Sequence, residues 1–322
     1  MAVTQRTTGE RITAARLTAP AGANAKSARR VRRSRARTGN PSVRPKSPML
    51  TAAMTLTLIY ALLPLFWLLV NASKTQSSLF TTSGLWFGGK FALFDNIGKT
   101  FSYDNGVFLR WFGNTLLYVV VGAGGATLLA TLGGYALAKF DFPGKRGALA
   151  LILGAVAVPG LALAVPSFLM FSKLGLTNTP WAIILPSLVN PFGLYLIQTY
   201  ARDAVPTELL EAARVDGMRE YRIFFSIALY LMRPAMITVL LFSVVATWNN
   251  YFLPLIMLSK PDWYPLTVGL NQWNSQASTV GGEAIYNLVI TGSLLTVVPI
   301  MIAFLIMQRY WQSGLATGSV KG

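Results

Sequence analysis

Hydrophobic positions in this chain occur in long uninterrupted stretches. Each of six windows without Asp, Glu, Lys or Arg exceeds the roughly 20 apolar residues that cross a bilayer as a helix. In lipid, the backbone of each segment must satisfy its own hydrogen bonds, so helices are predicted. A soluble helical core would instead need a charged outer face on each helix. We predict an all-α integral membrane protein whose six transmembrane helices correspond to Met49–Val70, Trp111–Ala138, Gly147–Ser172, Leu174–Ala201, Pro234–Ser259 and Ala284–Gln308.

The basic residues between these windows predict the orientation of the chain. Residues 1–48, 139–146, 202–233 and the C-terminal end together hold twenty-two Lys and Arg, whereas the segments on the other side hold six. Cytoplasmic loops carry the excess of Lys and Arg in membrane proteins. Both termini are therefore predicted to be cytoplasmic.

Residues 1–47 form a basic segment with a composition of its own. The segment contains the run Arg29–Arg37 and is otherwise rich in Gly, Pro, Ser, Thr and Ala, a composition that favours disorder. Nucleic-acid binding is one interpretation, but the run has neither interleaved aromatic residues nor a folded scaffold. Contact with anionic lipid headgroups fits better. We therefore expect membrane lipids, and no nucleic acid, as partners of this cytoplasmic tail.

The composition argues against catalysis by this chain. It contains no Cys and no His, which removes thiol nucleophiles, the usual soft metal ligands and the commonest general base. Gly98-Lys99-Thr100 resembles the end of a phosphate-binding loop, but the glycine that such a loop needs five residues earlier is replaced by Leu93. We expect no catalytic residues, no metal and no cofactor.

Proline and glycine mark special points in two spans. Pro186 and Pro191 bracket a predicted break in the fourth span, because proline removes a backbone donor. Gly122–Gly125 and the pair Gly133-Gly134 lie inside the second span. Small residues let transmembrane helices approach closely, so we interpret these glycines as packing positions.

The polar side chains inside the predicted spans are uncharged. Such amides suit a neutral, hydroxyl-rich solute, although hydrogen bonding between helices is the ordinary role of each one. An ion-coupled secondary carrier of a small polar solute is the alternative function, but such carriers place ionisable residues within their spans. An intramembrane hydrolase would need a Ser/His pair, two aspartates or a metal site there. The candidates for a translocation pathway are Asn190, Asn249, Asn250 and Asn287.

The loop Arg202–Arg233 has the most specific sequence. Pro206 and Glu208 predict the start of a helix, and Gly217 predicts its end. A second short helix is predicted over Met218–Met232. An amphipathic hairpin on the membrane surface, with no protein partner, is the simpler alternative.

The order of residues in this loop resembles that of a known family. Glu211-Ala212-Ala213-x-x-Asp216-Gly217, with Phe224 and Pro234 downstream, is similar to the EAA loop of ABC-importer permeases. The loop departs from the usual alanine at Met218 and the usual proline at Tyr230. Three further stretches resemble the carbohydrate branch, the maltose permease G protein family: Leu174–Thr179, Trp248–Leu255 and Gln308–Gly322. The resemblance runs from about Pro48 to the C-terminus.

This resemblance implies a type I ABC importer permease (MetI-like) fold in a bacterial inner membrane. It implies a non-catalytic sugar permease subunit with three partners: a second homologous permease, two copies of a cytoplasmic ATP-binding subunit and an extracytoplasmic solute-binding protein. In the family, the loop docks into a cleft of the ATPase. Glu211 would be the polar contact, while Ala212, Ala213 and Gly217 would permit close approach, and Asp216 completes the motif.

These inferences divide the chain into four parts. They are the tail 1–47, the first transmembrane helix with an extracytoplasmic loop 48–110, the permease core 111–309 with its coupling loop 202–233, and a C-terminal cytoplasmic tail 310–322.

Overall fold

A computed structural model describes residues 47–318 of the protein, and their side chains as far as Gln308. The predicted disordered tail therefore lies outside the described residues, except for Ser47. The chain divides into two compact units between Ala61 and Leu62. The described part of the first unit is the beginning of one long helix. All the packing described below lies within the second unit.

Every regular element in the described residues is helical. We name the membrane-spanning segments in chain order: span 1 (Pro48–Ala72), span 2 (Leu93–Lys139, with a kink at Tyr103–Gly106), span 3 (Lys145–Ala157 with Gly160–Lys173), span 4 (Trp181–Ala204), span 5 (Glu220–Trp248) and span 6 (Tyr286–Gly318). Shorter helices connect them: Gln76–Thr81, Thr207–Val215, Phe252–Met257 and Leu266–Ser278. Span 6 continues to Gly318, beyond residue 309, where the core was predicted to end.

Within residues 47–318, five helices are long and apolar enough to cross a membrane, and a sixth crossing is made if the bent third segment counts as one span. This confirms an all-α membrane protein. The third window was predicted as one continuous helix, but it is bent by 97°. The first helix ends at Ala157, and Pro159 follows with extended backbone angles. Proline disfavours helical geometry at the residue before it, which explains the break at this position.

Span 2 packs closely on span 4 through glycine. A Cβ atom on Gly134 would lie 2.7 Å from Ile197 Cγ2 and 2.9 Å from the backbone nitrogen of Gln198. A Cβ on Gly125 would lie 2.4 Å from Leu188 Cδ2. These contacts confirm the packing prediction for Gly125 and Gly134, whereas a Cβ atom on Gly124 would meet nothing within 4 Å.

Span 4 is interrupted where the two prolines predicted it. Its first helix ends at Ser187 and its second begins at Pro191. Asn190 caps the second helix, since its Oδ1 accepts a hydrogen bond from the backbone N–H of Gly193 at 2.8 Å. The break thus has a local cause. Pro191 has no N–H to donate to the preceding turn, and Asn190 Oδ1 accepts from an N–H in the first turn of the new helix that has no acceptor within that helix.

Two of the buried clusters in the described residues include side chains of span 2. Toward the end remote from the coupling loop, Phe108 and Trp111 pack with Trp248 and Trp273. At the other end, Tyr135 packs with residues of the coupling loop, including Phe224. Spans 2 and 5 therefore connect the coupling-loop end of the bundle with the remote end.

Candidate functional site

The coupling helix, Thr207–Val215, is closed at its end by a pair of backbone hydrogen bonds. The N–H of Gly217 donates to Arg214 O, and the N–H of Met218 donates to Ala213 O, both at 3.0 Å. This pattern is a Schellman motif, which needs a left-handed residue at the position of Gly217. Gly217 has a φ of +78°. The sequence prediction of a glycine-ended helix is thereby confirmed.

The two faces of the coupling helix differ in exposure. Leu210 and Ala213 are buried in the core, which seats the helix against the bundle. Glu211 and Ala212 are exposed, and Val215 is 88% exposed. An exposed valine beside a carboxylate and a small residue forms a surface suited to contact with another protein. Ala213 is buried and therefore does not belong to that surface; it packs the helix against the bundle.

An ion pair joins the coupling helix to span 5. Arg214 Nε donates to Glu220 Oε1 at 2.6 Å, and Arg214 Nη2 donates to Glu220 Oε2 at 3.4 Å. The hydrogen bond with Glu220 raises the pKa of Arg214 above its ordinary value. The paired side chains are partly exposed, so this ion pair fixes the geometry of the turn more than it stabilises the fold.

The second helix of the loop is not a separate element. We predicted a short helix over Met218–Met232, but the helix begins at Glu220 and continues to Trp248 as span 5. It passes through Tyr230, where the family usually has proline, and includes a π-helical turn at Phe224–Ala228. Because the helix continues, a displacement of the coupling helix acts directly on a transmembrane segment.

A groove of about 370 Å³ lies between spans 4 and 5. Its polar lining includes Asn190, Ser243 and Thr247. The rings of Phe192 and Phe242 also line it and meet edge to face, with centroids 6.1 Å apart. None of its lining residues, all within the described part of the chain, is charged. Uncharged polar groups beside aromatic rings suit a neutral solute with both hydroxyl groups and apolar ring faces.

The structure brings only two of the four candidate asparagines together. Asn190 and Asn250 both line the groove. Asn190 Nδ2 also donates to Ser243 Oγ at 2.9 Å, which links spans 4 and 5. Asn249 lies outside the groove, and its side chain donates to Val245 O of its own helix. Asn287 is buried elsewhere and donates to Asn96 Oδ1.

A family model supplies the deciding comparison. Residues 126–315 match the model described as "Binding-protein-dependent transport system inner membrane component". The matched region contains the coupling helix, span 5 and the groove. The chain belongs to this family. It is the multi-pass inner-membrane permease component of a transport complex that also includes an ATPase and a binding protein.

Curated relatives resemble the permease over most of its length. The arabinooligosaccharide transport system permease AraQ of Halalkalibacterium halodurans is 34% identical, over 87% of this chain and 99% of its own. The lactose transport system permease LacG of Rhizobium radiobacter is 32% identical, over 84% of this chain and 94% of its own. The resemblance therefore extends well beyond the family model's region.

A solved structure has the same fold as the permease. It is a bacterial ABC transporter involved in the import of the acidic polysaccharide alginate, and the match has a TM-score of 0.70. The match covers 82% of this chain and 95% of that chain, at 21% identity. This likeness confirms the predicted importer-permease fold.

Several residues of the site were not found from the permease sequence. Arg214 and Glu220 are six residues apart with a glycine turn between them, so no helical spacing pairs them. Phe192 and Phe242 belong to different spans and are ordinary apolar residues of a membrane segment. Val215 is an apolar residue of the same short helix as the buried Leu210 and Ala213, and its residue type does not mark it as exposed. Only the arrangement of the helices separates the exposed residues from the buried ones.

Proposed function

We propose that this permease is one of two homologous membrane subunits of an ATP-driven sugar importer. A second permease closes the pathway, two copies of an ATPase dock on the paired coupling loops, and a binding protein delivers the sugar. The observation that carries the proposal is one helix, span 5, which is paired with the coupling helix at Glu220 and lines the groove at Ser243.

The exposed face of the coupling helix supports ATPase docking. Glu211 offers a carboxylate, Ala212 allows close approach, and Val215 offers an apolar contact. Asp216 and Gly217 end the helix. They therefore limit the length of the surface that the helix presents to the ATPase. The Schellman motif and the Arg214–Glu220 pair hold the turn rigid, and a rigid turn transmits displacement instead of absorbing it.

Span 5 would carry this displacement to the groove. Glu220 and Ser243 lie on the same helix, and at 1.5 Å per residue they are about 35 Å apart along its axis. When ATP closes the ATPase pair, the coupling loops approach each other and span 5 moves as a lever. The π-helical turn at Phe224–Ala228 lies near the loop, and such turns are frequent at functional sites.

The groove and the relatives together support a neutral sugar as the solute. The relatives' names specify arabinooligosaccharides and lactose. Sugars have hydroxyl groups for Asn190, Asn250 and Thr247, and C–H faces for Phe192 and Phe242. We expect the groove to be half of the translocation pathway, completed by the partner permease.

The energy source provides the test of this function. Reconstituted with its partner permease, ATPase and binding protein, the chain should import a neutral sugar only when ATP is present. Dissipating the proton or sodium gradient at constant ATP should leave uptake unchanged. The chain alone should neither hydrolyse ATP nor transport. Gradient-driven uptake by the chain alone would refute the importer and favour a secondary carrier.

A pair of valines tests the orientation in the membrane. Val280 lies in the loop before span 6 and Val215 on the coupling helix, and both are highly exposed. Because the natural chain has no Cys, Val280→Cys and Val215→Cys each create a single thiol. An impermeant thiol reagent should label position 280 in intact cells and spare position 215. In inside-out membranes stripped of the ATPase the pattern should reverse, and the same result in both preparations would contradict the orientation.

Adjacent asparagines test the pathway. Asn250→Leu removes a polar group from the groove, whereas Asn249→Leu changes a neighbour outside it. We expect the first variant to slow sugar uptake about tenfold, as one lost hydrogen bond of about 1.4 kcal/mol would. Loaded binding protein should still stimulate ATP hydrolysis. Equal uptake rates in the two variants, measured at equal assembly, would remove the groove from the pathway.

A further inference from the structure

A second cavity, with a different chemistry, lies at the end of the bundle remote from the coupling loop. Its volume is about 560 Å³, and it lies between the end of span 1, the beginning of span 2 and the beginning of span 6. Its polar lining includes two lysines, hydroxyl groups and one carboxylate. The residues relevant here are Thr75, Gln76, Ser77, Lys90, Asp95 and Lys99. Nothing in the proposed import mechanism uses this cavity.

Hydrogen bonds of buried amides connect the residues around this cavity to the end of span 1 and to the beginning of span 6. Asn96 Nδ2 donates to Ala72 O at 2.9 Å and to Lys74 O at 2.8 Å. Asn287, in the first turn of span 6, donates to Asn96 Oδ1 at 2.9 Å. Since Ala72 is the last residue of span 1, the cavity lies at the boundary between hydrocarbon and water, which is the depth of the lipid headgroups.

Exposed aromatic side chains occur close in sequence to residues that line the cavity. Phe80 lines it. Trp86, in the segment between spans 1 and 2, is 70% exposed, and Phe94, beside the lining residue Asp95, is 77% exposed. The segment is attached to the end of span 1, since Asn71 Nδ2 donates to Gly84 O at 2.7 Å. Aromatic rings at this depth are typical of membrane–water interfaces. The aromatic patch therefore faces the level at which acyl chains meet headgroups.

We propose that this cavity binds the headgroup phosphate of an anionic phospholipid, with the acyl chains against the aromatic patch. Lys90 and Lys99 supply two positive charges, and neither is in an ion pair within residues 47–308. The carboxylate of Asp95 reduces the net charge of the cavity lining to one positive charge, which balances the single negative charge of a phosphodiester. Lysine binds phosphate as a point charge. The hydroxyl group of Ser77 suits a glycerol headgroup, so phosphatidylglycerol is preferred over phosphatidylcholine.

Lipid binding by the purified full-length chain tests this site. Each lysine near an anionic lipid surface contributes about fivefold in affinity. The double variant Lys90→Gln, Lys99→Gln should therefore bind phosphatidylglycerol about 25-fold more weakly, as measured by native mass spectrometry. Lys260→Gln, at another exposed lysine of the same end, is the matched control and should bind normally. Phosphatidylcholine should bind more weakly than phosphatidylglycerol, and equally to all three proteins.

A fluorescent probe tests the aromatic patch in the assembled complex. Trp86→Cys labelled with an environment-sensitive dye should be quenched by lipids that carry a nitroxide near the headgroup, whereas Val280→Cys should not.

Equal phosphatidylglycerol affinity in the double variant and the control would overturn the site. Displacement of the lipid by millimolar inorganic phosphate would assign it to a free anion. A dye shielded only when the partner permease or binding protein is added would assign the patch to a protein. None of these readouts depends on sugar uptake, so failure here leaves the importer function standing.

Discussion

Glu211→Lys and Gly217→Pro should each abolish uptake by the assembled importer while the chain still reaches the membrane. Glu211 is exposed on the face of the coupling helix that we assign to the ATPase, so the substitution reverses a charge at the contact. Gly217 adopts a φ of +78° and donates a hydrogen bond to Arg214 O. Proline can do neither, so the Schellman motif is lost.

Conservative substitutions at the same positions separate docking from folding. Gly217→Asn should keep most of the uptake, because asparagine tolerates the left-handed conformation and retains its N–H. Glu211→Gln keeps the size and hydrogen-bonding capacity of the side chain, and should be less harmful than the lysine variant. Copurification of the ATPase should fall with Glu211→Lys. Normal uptake with both Glu211→Lys and Gly217→Pro would show that this helix does not couple the ATPase to transport.

The elements that could be predicted from the sequence are those with local causes. A window of some twenty apolar residues spans a membrane whatever surrounds it, so spans 1, 2, 4 and 6 were found directly. The end of the coupling helix at Gly217 and the break at Pro191 depend on backbone chemistry within a few residues. These predictions are confirmed because no distant contact was needed to make them.

The features that could not be predicted depend on distant contacts or on competing local signals. The 97° bend of span 3 lies in a window of unbroken hydrophobicity, and a proline in such a window can equally produce a mild kink. Span 5 was expected to start at Pro234, after a separate loop helix over Met218–Met232. The helix instead begins at Glu220 and continues through Arg222 and Arg233, whose exposed side chains do not interrupt it.

The same distinction applies to the candidate site. The motif Glu211–Gly217 is contiguous, so it was found with its boundaries. The groove is built from two spans that are some fifty residues apart in sequence, and amides are common in helix contacts. Asn190, Asn249, Asn250 and Asn287 were therefore indistinguishable as residues. Their hydrogen bonds distinguish them, because Asn287 is held in a buried network and the side chain of Asn250 faces a groove.

Gly134→Ala should destabilise the chain more than any other single added methyl group in span 2. The new Cβ would lie 2.7 Å from Ile197 Cγ2 and 2.9 Å from the backbone nitrogen of Gln198. The backbone atom cannot rotate away as a side chain can, so spans 2 and 4 must separate. Overpacking of this kind costs about 1–3 kcal/mol. Because this contact also supports the cluster around Tyr135, loss of assembly with the ATPase should accompany the lower melting temperature.

Gly124→Ala is the matched control in the same span. A Cβ at Gly124 meets nothing within 4 Å in the described structure. Alanine favours the helix over glycine by roughly 0.5–1 kcal/mol, so this variant should melt at the same temperature or higher. Thermal unfolding of both purified variants, followed by the fraction remaining monodisperse, provides the measurement. Equal melting temperatures would mean that spans 2 and 4 are not packed through Gly134.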